Sequence, residues 1–126
     1  MPKRFTAALT LLALAGSLTH AAPPNDNFAD RIALLGPNVS LVSSNVGATK
    51  ETGETNHAAA FAGYGASGES VWYSWTPEVG GYVKFTLAGS LNKVIAIYTG
   101  SSVASLSPVA SGFNNSPYEA TCQFVG

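Results

Sequence analysis

Beyond residue 35 the apolar residues recur every second position, and no stretch keeps the 3.6-residue rhythm of an amphipathic helix. The clearest strand is Ser70–Thr76. Val71, Tyr73 and Trp75 fall on one face, and Trp72, Ser74 and Thr76 on the other. Pro77, which has no N–H to give a ladder, ends it. Gly80-Gly81 turns the chain into Tyr82–Leu87, with Val83, Phe85 and Leu87 inward and Lys84 and Thr86 outward, a hairpin in outline. Val94–Tyr98 is nearly continuous in apolar residues and reads as a strand buried on both faces. Weaker strands are expected near Pro108–Ala110 and Glu119–Val125, and Val39–Ser43 alternates as an early one. Asp26 to Leu35 is the one place for a helical turn, with Asp26 as its cap, Phe28 and Ile32 four apart on one side, and Gly36-Pro37 as its stop. Short strands separated by Gly, Pro, Asn and Ser predict an all-β fold, an antiparallel β-sandwich of jelly-roll-like character.

The N-terminus has a different pattern. Lys3 and Arg4 precede an apolar run from Phe5 to Leu18, broken only by Thr6, Thr10, Gly16 and Ser17. That run is too short for a stable bilayer span and suits the apolar core of a signal peptide. Thr19-His20-Ala21 offers small residues where a signal peptidase inspects the chain, so cleavage is expected after Ala21. The competing reading is an uncut anchoring helix. Residues 1–21 are thus a signal peptide and 22–126 the domain, which is secreted, periplasmic or at the cell surface, with no membrane span after cleavage.

Charge and cysteine narrow the classes further. Past Ala21 four basic residues (Arg31, Lys50, Lys84, Lys93) face seven acidic ones, without a basic cluster. Such a chain has no electrostatic footprint for phosphate backbones, which excludes nucleic acid as the expected partner. Cys122 is the single cysteine, so no disulfide forms within the chain. It is either a buried thiol or half of a bridge to another chain.

Four blocks carry a family resemblance: Pro24-Asn25-Asp26-Asn27-Phe28-Ala29-Asp30, Asn45 through His57, Ser70-Val71-Trp72-Tyr73-Ser74-Trp75, and Ile97-Tyr98-Thr99-Gly100. In this order they resemble the bacterial pre-peptidase C-terminal domain family, in the variant repeated along large secreted proteins. The resemblance spans about Pro23 to the last residue. It implies a non-catalytic β-sandwich accompanying enzymes and adhesin-like proteins, with calcium or polymers such as collagen bound by some relatives. It also implies a C-terminal truncation, because family members continue past the position of Gly126 into another strand. A strand with three inward residues is worth about 5–9 kcal/mol of burial, against a whole-domain stability of about 5–15 kcal/mol.

The candidate chemistry is thin. Asn25, Asp26 and Asp30 gather hard oxygen ligands that suit calcium, but Pro23 and Pro24 precede them where calcium-binding relatives carry acids. Ser70 and Trp72 stand where those relatives have aspartates. The competing reading of Asp26 is a helix cap or Asx-turn. Gly63-Tyr64-Gly65-Ala66-Ser67-Gly68 spells a dinucleotide loop but precedes a strand rather than a helix, and reads as a plain loop. Glu51, Glu54 and His57, three apart, would make a metal or acid–base set only if the loop brought them together. His57 is the sole histidine after Ala21, and no Ser lies in a nucleophile elbow, so an enzyme is not expected. The remaining option is contact through aromatics: Trp72, Tyr64 and Tyr82 could stack on a polysaccharide or anchor a protein partner or another domain of the parent chain. Trp72 could equally pack beneath the 51–68 loop, and its exposure separates the two.

Overall fold

The computed structural model describes residues 20–57, 69–89, 93–114 and 120–125. Of the expected signal peptide only His20 and Ala21 are among them, and the glycine-rich loop 63–68 with Tyr64 lies outside. The described residues form six strands: β1 (Ile32–Leu34), β2 (Tyr73–Trp75), β3 (Tyr82–Leu87), β4 (Lys93–Thr99), β5 (Ser107–Asn114) and β6 (Ala120–Val125). Their only helical pieces are two 3-10 turns, Phe28–Asp30 and Val103–Ser105. The fold is therefore all-β, and no described helix is long and apolar enough to cross a membrane.

The strands associate in three pairs. β4 and β5 are antiparallel, from Lys93 opposite Asn114 to Thr99 opposite Ser107, with a register shift between Ile97 and Tyr98. The shift falls where Tyr98 faces Pro108, a residue without an N–H, and leaves Val109 as the unmatched residue of β5. β3 and β6 are antiparallel from Tyr82 opposite Val125 to Leu87 opposite Ala120. β5 runs close to β6, and β4 lies near both β6 and β3, so the two antiparallel pairs stand together. β1 and β2 pair in parallel, Ile32 beside Tyr73 and Leu34 beside Trp75. Trp75 ties this pair to β3 through an edge-on contact with Phe85, ring centroids 5.9 Å apart.

Several expectations need correction. The strand at 70–76 shortens to three residues and makes no hairpin with β3; its partner is β1, and the partner of β3 is β6. The helical segment at 26–35 is one 3-10 turn followed by a strand, because Ile32 N–H donates to the Trp72 carbonyl at 3.1 Å. Asp26 does not cap that turn. Asn27 occupies the cap position, without a side-chain bond to the backbone of the turn. Residues 39–43 form no strand. On β3, Val83 and Phe85 are half-buried as expected, but Leu87 is exposed. Val94–Tyr98 is half-buried rather than sealed on both faces.

Candidate functional site

The most buried described side chains belong to one cluster, and it is mainly polar. Trp72 (8% exposed), Asn25, Asp26 and Glu54 are all buried. Three rings pack on the Trp72 indole. Phe28 and His57 meet it edge-on with centroids 5.2 Å away, and Tyr98 lies at 6.4 Å. The main chain of Trp72 is pinned across 47 residues of sequence. Its N–H donates to the Asn25 carbonyl at 2.9 Å, and its carbonyl accepts the Asn25 side-chain amide at 2.9 Å. The indole Nε1–H has no hydrogen-bond partner among the described residues.

Two tight turns deliver the acids. In Asn45–Ala48 and Glu51–Glu54 the fourth N–H donates to the first carbonyl, at 3.0 Å in each. Gly47 (φ +81°) and Gly53 (φ +89°) hold the third positions, in the left-handed region that type II turns require there. The first turn presents Thr49, whose N–H and hydroxyl both donate to Asp26, at 2.6 and 2.8 Å. The second sends Glu51 to the Phe28 N–H at 2.9 Å and turns Glu54 inward.

Glu54 is the hub. Its Oε2 accepts the Glu51 N–H at 2.8 Å, and its Oε1 accepts both the Ser70 hydroxyl and His57 Nε2, the latter at 2.8 Å. A carboxylate can only accept, so Nε2 carries a proton, and in the neutral imidazole Nδ1 is left as an acceptor. Tyr98 fills it, donating its hydroxyl at 2.7 Å. Burial first, and the Glu54 charge second, push the Tyr98 phenol above its ordinary value. Beyond His57 and Tyr98 lies a groove of about 320 Å³, floored by Ala96, Ala110 and Ser111.

Glu54 and His57 thus meet, but Glu51 does not join them as a metal set. Glu51 turns its carboxylate away to Phe28, and both His57 nitrogens face partners within the chain. Among the described residues no group of three or more His, Cys, Asp or Glu is arranged to hold a metal. Of the calcium candidates, Asn25 Nδ2 donates to the Trp72 carbonyl, both Asp26 oxygens accept from Thr49, and exposed Asp30 accepts from Asn27 at 3.4 Å.

Of the three aromatics, Trp72 is buried beneath His57 of the 51–57 segment, so the packing alternative describes it and it offers no stacking platform. Tyr82 stands 74% exposed at the start of β3. Ser70, Tyr98 and Thr49 were not singled out from sequence. The available signal was indirect: an acid brought indoors needs donors, and Ser70 and Tyr98 sit in the blocks that carry the family resemblance. No protein-family model matches this chain, and neither does any curated protein or solved structure.

Proposed function

We propose that this chain is a non-catalytic accessory β-sandwich module of an exported bacterial protein, the role its resemblance to the pre-peptidase C-terminal domain family implies. The observation that supports it most is how Glu54 and His57 are spent. An acid–base catalyst needs a lone pair or proton facing the substrate. Here both carboxylate oxygens and both ring nitrogens are bonded within the chain, and the Glu54 side chain is fully buried. Tyr98 does reach the groove, but its phenol is held protonated, which weakens it as a nucleophile. The cluster instead binds the N-terminal segment, the 45–57 turns, residues 70–72 ahead of β2, and β4 to one another. The basic start, short apolar run and Ala21 support export, after which the module acts as a spacer or stabilising appendage.

The test compares turnover with stability. The purified chain is assayed on chromogenic esters, glycosides and peptides, and Glu54→Gln is unfolded in urea beside it. The expected result is no turnover and a loss of about 1.5–3 kcal/mol in the variant, because an amide offers one acceptor to three donors. Turnover that Tyr98→Phe abolishes while stability holds would overturn the reading.

A second reading, contact with a polysaccharide or matrix protein, rests on Tyr82. Its exposed ring lies across the ladder from Val125, itself 76% exposed. Tyr82→Ala would then weaken binding to such a polymer without changing the fold.

A further inference from the structure

Residues 20–26 tie the expected cleavage point to the folded body. Only Ala22, Pro23 and Pro24 separate the bond after Ala21 from Asn25, which is buried at 3% exposure. Asn25 is held twice: its carbonyl accepts the Trp72 N–H and its side-chain amide donates to the Trp72 carbonyl, each at 2.9 Å. Just before this pin the Asp26 N–H donates to the Pro23 carbonyl at 3.1 Å, closing a tight turn. On the other side of the bond, residues 20 and 21 lie on Gly47. A Cβ there would stand 2.8 Å from the Ala21 carbonyl oxygen and 3.2 Å from the His20 Cβ, so only glycine leaves them room.

We infer that the fold itself withholds this bond, so that cleavage after Ala21 belongs to the unfolded chain and closure of the Asn25–Trp72 pin ends it. The inference rests on the export reading proposed above. An enzyme that takes a peptide as an added strand needs it extended along the cleft, and the Pro23–Asp26 turn is not extended. Ala22, Pro23 and Pro24 reach about 10 Å when drawn out, too little to carry a folded body clear of such a cleft. Drawing out more chain means breaking both Asn25 bonds and uncovering the Trp72 cluster. Processing and folding therefore compete, and a chain that folds first keeps residues 1–21.

The uncleaved full chain in detergent, mixed with a purified bacterial signal peptidase, tests this, with mass spectrometry reading the new terminus. Added from urea at the moment of mixing, the chain is cut after Ala21. Added folded, with the emission of buried Trp72 as the check, it is cut at least about tenfold more slowly, because cleavage then follows the population of the opened form. A Gly-Ser spacer of about six residues between Ala22 and Pro23 lengthens the tether and returns the folded chain to the unfolded rate. Asn25→Ala, which removes the side-chain half of the pin, raises the folded rate, and by more than Phe85→Leu in β3 does for the same loss of stability. Folded and unfolded chains cut alike, a spacer without effect, or equal acceleration by the two substitutions would overturn the inference. An unfolded chain left uncut after Ala21 would sink the export reading, and the inference with it.

Discussion

Tyr98 joins chemistry and stability within one side chain. Its hydroxyl donates to His57, and burial together with the Glu54 charge holds the phenol protonated above its ordinary value. In the unfolded chain a tyrosine releases its proton near pH 10. Between there and the raised folded value, the native state holds a proton that the unfolded state has lost. By linkage, stability falls as pH rises through that window, and the contribution is fully present below it. Tyr98→Phe should therefore flatten part of the alkaline limb of stability against pH, while costing about 0.5–1.5 kcal/mol at neutral pH for the lost hydrogen bond. Urea unfolding of both proteins from pH 7 to 11 checks it. Parallel limbs would mean that the phenol ionises alike in both states.

At the scale of elements, the Glu51–Glu54 turn determines whether the acid reaches the cluster. Gly53 has φ +89°, and a Cβ built there would stand 3.1 Å from the Cβ of Ala104 in the second 3-10 turn. Gly53→Ala should cost about 1–2 kcal/mol from the left-handed backbone alone, with the tight contact adding to it. A urea midpoint shifted down at unchanged slope would record this, and an unshifted midpoint would mean that the turn relaxes freely. The strands most legible in the sequence were β3 and β4, where Lys84 and Thr86 alternate with Val83 and Phe85, and Val94, Ile95 and Ile97 run close together. Pairing was not legible. A short strand such as Tyr73–Trp75 carries no record of its partner, and the gap across Gly80-Gly81 suits a hairpin as well as a change of sheet. The site was half legible. The three-residue spacing of Glu51, Glu54 and His57 flagged a convergence, but only the Gly53 turn reveals that Glu54 faces inward and Glu51 toward Phe28.

At the scale of the molecule, polar bonding outweighs apolar burial among the described residues. Among the described residues, Ala48 and Trp72 are the buried hydrophobic side chains, while Leu35, Val42, Val79 and Val125 are each more than three-quarters exposed. The fold is held by long-range pins such as Asn25 to Trp72, by the Glu54 hub and by the two antiparallel ladders. This balance sets how the chain responds to denaturant. The slope of unfolding free energy against urea follows the surface newly exposed, and apolar residues already in water add nothing to it. The slope should lie near the low end for small domains, about 1 kcal/mol per molar. A value near about 2 or above would show that unfolding uncovers an apolar core much larger than the Trp72 cluster, and the hydrogen-bond pins would then be secondary to packing.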